Sequence, residues 1–223
     1  MTRRHGNTMD RVAIETLLRD LGQRMAHQGA SMDIELYGSA VLVLGYPCWP
    51  SAGDIDARWS PYDDPVIWPL IHAVSEDHHA SQGWLNNDVS DITPEEGEWA
   101  AKLRYGGLTI KIPSEAYAMA QLVGALEKCT NEPPHGKHAE KFRAFQAYLG
   151  WDKDTILERC THLAGPRGFS GCALSWLDNL LPAPTVPSPA PPPPPETPAT
   201  PPGQNPPLKK TWDIDKNTRI LPT

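Results

Sequence analysis

The apolar positions of the first 30 residues repeat at helical intervals. Ile14, Leu17, Leu18, Leu21 and Met25 fall at i, i+3, i+4, i+7 and i+11, one stripe of an amphipathic helix over residues 9–27. Asn7 or Thr8 is the expected cap and Gly29 the stop. The period then changes to two. Residues 33–37 alternate and predict a strand, residues 39–45 suit a short helix opening at Gly38-Ser39, and residues 54–59 predict a second strand after a loop containing Pro47, Pro50 and Gly53. A helix follows over 64–80, with Pro65 near its first turn. Residues 84–107 carry no clear period and are expected to be an irregular connection. Leu108 to Ile112 alternates strictly and predicts a strand. Ser114 caps a helix running to about Cys129, NEPPHG breaks the chain, and helices are expected at 137–149, 153–164 and 170–181.

That order predicts an α+β domain: a small mixed sheet, flanking helices and a helical C-terminal half. The expected boundaries are a flexible N-terminus at 1–8, the domain at 9–181, a proline-rich linker at 182–207 and a tail peptide at 208–223. Of the 25 prolines, 14 stand in the 26 positions 182–207. Such a segment lacks the apolar content to order itself and favours extended polyproline II conformers. It would suit a polyproline-binding partner.

Composition and charge narrow the function. A formal charge of -7 does not suit non-specific grip on nucleic acid. The cysteines Cys48, Cys129, Cys160 and Cys172 are widely spaced and form no C-x-x-C pair, as expected of reduced thiols in a cytoplasmic protein. No apolar run approaches a membrane span, and the N-terminus lacks the apolar core of a signal peptide.

The chemistry concentrates in ELYGSAVLVLGYPCWPSAGDIDARW, residues 35–59. Side chains two apart on a strand share a face, so Asp54 and Asp56 project together, with Arg58 on the same side. Two adjacent carboxylates repel unless a cation lies between them. Mg²⁺ meets that need, held by one or two carboxylates and completed by phosphate oxygens and water. Gly38 lets a ligand approach the backbone closely, and the Ser39 hydroxyl adds a donor. One element would hold phosphate and the other the metal that bridges it.

Gly38-Ser39 followed by Asp54-Ile55-Asp56 on the next strand resembles the nucleotidyltransferase superfamily of polymerase-beta-like fold. It is most similar there to a bacterial subgroup of uncharacterised nucleotidyltransferase-like and toxin–antitoxin-type proteins. The segment Trp84-Leu85-Asn86-Asn87-Asp88-Val89, the strand LTIKIPS and the helix EAYAMAQLVGAL carry the subgroup likeness, which spans roughly residues 10–160. The resemblance implies a Mg²⁺-dependent transfer of a nucleotide from a nucleoside triphosphate to a hydroxyl acceptor in RNA, protein or a small molecule. It makes Asp54 and Asp56 the metal-holding catalytic pair, and Gly38, Ser39, Arg58 and Lys111 the nucleotide contacts.

Three positions depart from the family pattern. Gln121 stands where relatives carry a lysine. KHAEKFRAF, with Glu140 and Lys141, replaces an Arg/Asp-rich stretch. The strand that should supply a third carboxylate offers only Thr109 and Lys111, with Glu115 just beyond it. These departures point to a second reading: a catalytically silent binding protein, one component of a toxin–antitoxin or defence pair. Glu115 beside the aspartates would favour catalysis, and Lys111 alone would favour binding.

Overall fold

The structure, a computed structural model, describes residues 8–61, 65–89, 97–126, 136–165 and 168–181. Its first helix, α1 (Arg11–His27), buries the expected stripe: Ile14, Leu18, Leu21 and Met25 are fully buried. The cap is Asp10, whose Oδ1 accepts from Ala13 N at 2.9 Å. Thr8 does not fill that role, and Asn7 lies outside the described residues.

Strand β1 (Met32–Leu36) leads into α2 (Gly38–Leu44), then β2 (Ile55–Arg58), α3 (Ile67–Asp77) and β3 (Leu85–Asn86). A hairpin of β4 (Trp99–Tyr105) and β5 (Leu108–Pro113) follows. The chain continues through α4 (Glu115–Leu126), α5 (Lys137–Leu149), α6 (Lys153–Cys160), a 3₁₀ turn at Thr161–Leu163 and α7 (Gly171–Leu180). The architecture is α+β, with a five-stranded mixed sheet in the order β3-β2-β1-β5-β4. Pairs β1–β5 and β2–β3 are parallel, whereas β1–β2 and β4–β5 are antiparallel.

One sheet face is apolar. Ile34, Leu36, Ile55, Ala57, Leu108 and Ile110 are fully buried, which is what strict alternation on β1, β2 and β5 requires of a half-covered sheet. Helix α1 packs on α3 and against β4 and β5. Trp84, fully buried just before β3, donates from Nε1 to the Ile71 carbonyl of α3 at 3.2 Å, so it is a core plug whose one polar atom is satisfied. On the C-terminal side α4 is the hub, touching α5, α6 and α7. Ser114 begins it as expected, its Oγ accepting from Tyr117 N at 3.1 Å.

The expectation of an irregular connection over 84–107 is corrected by β3 and β4. Strand β3 has two residues, too few to show a period. Strand β4 is an edge strand whose residues are all exposed or half-exposed, so no burial forces its side chains to alternate in polarity. Its partner β5 and the Gly106-Gly107 turn define it instead. The proline-rich segment 182–207, the tail 208–223 and the N-terminal residues 1–7 lie outside the described residues. Among the described residues no helix is long and apolar enough to cross a membrane.

Candidate functional site

The end of β1 and the start of β2 are tied together. Tyr37 N donates to the Asp56 carbonyl at 2.9 Å, which sets Gly38 against the Asp56 side chain. Gly38 has φ +64, in the left-handed region. A Cβ placed on it would stand 2.6 Å from Asp56 Oδ2. The carboxylate therefore occupies the space a side chain would need, and two of the sequence-predicted residues form one structural unit.

Strand β3 completes the acidic end. Asn86 pairs in register with Asp56, and its Nδ2 donates to Asp54 Oδ2 at 3.4 Å. Asn86 Oδ1 in turn accepts from Asp88 N at 3.1 Å, which fixes which end of the amide faces the aspartates. Burial raises the Asp56 carboxyl above the ordinary aspartate range, and the charge of Asp54 raises it further. The hydrogen bond from Asn86 and the charge of Lys141 pull the other way, and Asp88 adds repulsion.

A cavity of about 420 Å³ opens beside this unit, walled by Gly38, Asp56, Tyr117, Gln121, Lys141 and Phe169 among others. Lys141 was not expected here. It lies on α5 with only 6% of its surface exposed, and its ammonium has no hydrogen bond or ion pair among the described residues. Burial lowers its pKa, Lys137 lowers it further, and the charges of Asp56 and Asp54 oppose that shift. A buried unpaired cation is expensive and is retained where something else offsets it.

Arg58 and Lys111 are held elsewhere. Both stand directly across from Glu35 in the strand register. Arg58 Nε donates to Glu35 Oε2 at 2.7 Å, and Lys111 Nζ to Glu35 Oε1 at 3.2 Å. Among the described residues neither lines the cavity, nor does Ser39, which is 6% exposed. Glu115 lines a separate depression with Tyr46, Trp151 and Arg159. There, burial and the Glu115 charge push the Tyr46 hydroxyl up to about 12. The third acid whose field reaches Asp56 is thus Asp88 and not Glu115. Among the described residues no three histidine, cysteine or acidic side chains converge as a ready metal cluster.

The two aspartates nevertheless fit a hard divalent cation. They repel each other, and among the described residues no lysine or arginine forms an ion pair with either. Their oxygens are the ligand type that Mg²⁺ accepts, with phosphate and water completing its shell. No family model, curated protein or solved structure matches this chain.

Buried charge makes the site a stability burden that substitution should relieve. The folded Asp56 pKa is raised, so the stability linked to its proton is full below the ordinary aspartate range and is lost as pH rises through the folded value. Lys141 is the mirror case. Its contribution is present above the ordinary lysine range and is lost as pH falls through the lowered folded value. At pH 7 Asp56→Asn and Lys141→Met are each expected to stabilise by on the order of 1 kcal/mol, about 2–4 °C in Tm. The Asn gain should vanish in acid. Thermal melts across pH check this, and a fall in Tm for both variants at pH 7 would contradict it.

Proposed function

We propose that this chain is a nucleotidyltransferase-type protein that binds a nucleoside triphosphate with Mg²⁺ and transfers a nucleotide to a hydroxyl acceptor. The observation that carries the reading is the packing of Gly38 on Asp56 at the rim of a cavity whose opposite charge is the unpaired Lys141. A ligand that brings both a divalent cation and an anionic group satisfies both at once. Metal-bound triphosphate is that kind of ligand. Asp54 and Asp56 hold the cation, and Asn86 orients the Asp54 carboxylate. The missing side chain at Gly38 leaves the backbone open to the phosphates, and Lys141 offers them a positive charge. Bound Mg²⁺ supplies charge neutralisation at the transferring phosphate. The acceptor oxygen bonds to the α-phosphorus as the bond to pyrophosphate breaks, in line.

A second reading is favoured by one observation. Glu35, on the strand next to Asp56, is neutralised by Arg58 and Lys111 and so does not serve as a third metal carboxylate. A protein with that arrangement binds metal-bound nucleotide without transferring it and acts through a partner.

Calorimetric titration of each nucleoside triphosphate, with and without Mg²⁺, tests the shared part. Metal-dependent binding is expected in the wild type. In Asp54→Asn/Asp56→Asn it should weaken by at least roughly 100-fold, about 2.7 kcal/mol. Equal binding by both proteins would refute the site. Pyrophosphate release separates transfer from silent binding.

A further inference from the structure

We propose that Lys141 is itself a nucleotide acceptor, so that the protein forms a covalent lysyl–nucleoside monophosphate on its own α5 helix. The inference rests on the nucleotide reading of the cavity and goes beyond it, because it makes a residue of this chain the nucleophile.

Three observations carry it. Lys141 shares the cavity wall with Gly38 and Asp56, which puts its amine in the compartment assigned to the phosphates. Its burial is nearly complete, and among the described residues no side chain forms a hydrogen bond or ion pair with it. A lysine kept for structure normally finds a carboxylate, whereas the Lys141 Nζ is not fully enclosed and its residue lines the cavity. The two tyrosine hydroxyls on that wall are engaged: those of Tyr37 and Tyr117 lie 3.5 Å apart, sharing a hydrogen bond. Desolvation next to another cation is also how proteins make a lysine nucleophilic. Burial of Lys141 favours its neutral amine, as does the charge of Lys137 one helical turn away on α5, while Asp56 and Asp54 oppose this.

The step balances. The Lys141 ammonium that meets the phosphates first gives one proton to water, and the neutral Nζ then attacks the α-phosphorus of the triphosphate. An N–P bond forms as the P–O bond to the leaving group breaks, and pyrophosphate departs with the electron pair. The nitrogen sheds one proton to pyrophosphate. The product is a phosphoramidate carrying one nucleoside monophosphate.

Intact-mass spectrometry of the full chain, incubated with Mg²⁺ and each of the four ribonucleoside triphosphates, tests this. The expected result is a gain of one nucleoside monophosphate residue, mapped by peptide digestion to Lys141, stable in alkali and lost in acid. Lys141→Arg keeps the positive charge but cannot serve as the acceptor. It should keep a native circular dichroism spectrum while the adduct falls to background. Lys141→Met should also lose the adduct while staying folded. Triphosphate binding by the wild type with no adduct overturns this proposal alone. An adduct that persists in Lys141→Arg overturns it as well. No triphosphate binding in the wild type refutes the nucleotide reading and this inference together.

Discussion

Gly22→Ala is expected to lower the melting temperature by roughly 10 °C, the consequence of about 3 kcal/mol or more of lost stability. Gly22 lies in the middle of α1, where a glycine is ordinarily a weakness. Here α1 comes so close to the β4–β5 hairpin that Gly107 N donates to the Gly22 carbonyl at 2.8 Å. A Cβ at Gly22 would stand 1.7 Å from the Tyr105 carbonyl oxygen. Neither partner is a flexible side-chain tip, so helix and hairpin must separate, and the fully buried Leu21, Met25 and Leu108 lose packing with them. Gly124 in α4 is the internal control. Among the described residues nothing lies within 4 Å of a Cβ placed there, so Gly124→Ala should be neutral or stabilising by up to about 1 kcal/mol. Denaturant or thermal unfolding of the two variants side by side checks the contrast. Equal stability would mean that the close approach of α1 to the hairpin is wrong.

Gly38→Ala is expected to weaken metal-dependent triphosphate binding at least tenfold while leaving most of the fold intact. The residue must hold a left-handed backbone, which costs a non-glycine residue about 1 kcal/mol. The larger effect is local. The added methyl meets Asp56 Oδ2 at 2.6 Å and pushes that carboxylate out of its position. Circular dichroism should show a native helix content, and calorimetry a loss of at least tenfold in affinity. Wild-type affinity in a folded Gly38→Ala protein would separate the glycine from the site.

These effects also mark what could be read before the fold was seen. The periodicity of α1 and the alternation of β1, β2 and β5 were legible because each element buries one face. The closeness of Gly38 to the acidic segment was legible from the order of the two motifs, and the structure sets Gly38 against Asp56. Lys141 was not. On α5 it stands between the buried Ala139 and Phe142, in KHAEKFRAF, a segment marked for departing from the family pattern and not as a site. Only the packing of α5 on α4 brings it opposite the aspartates. Arg58 and Lys111 failed for a related reason. Their shared face was predictable from strand alternation, but the position of Glu35 directly across from both depends on register, which local sequence does not specify. The Asp10 cap in place of Asn7 or Thr8 is a shift of the kind that competing polar residues at a helix start produce.

The placement of β1 carries a consequence for how the chain is made. It is the central strand, and Met32 to Glu35 pair with Leu108 to Lys111, far along the chain. During synthesis the first 100 residues leave the ribosome without the partner that closes the sheet. The apolar stripe of α1 then lacks its hairpin, and the acids around Gly38 lack the lysine from α5. Folding of this domain is therefore a late, all-at-once event governed by a long-range contact. A nascent chain ending before Pro113 should be held by chaperones and cut readily by proteases, whereas one extended past α5 should resist both.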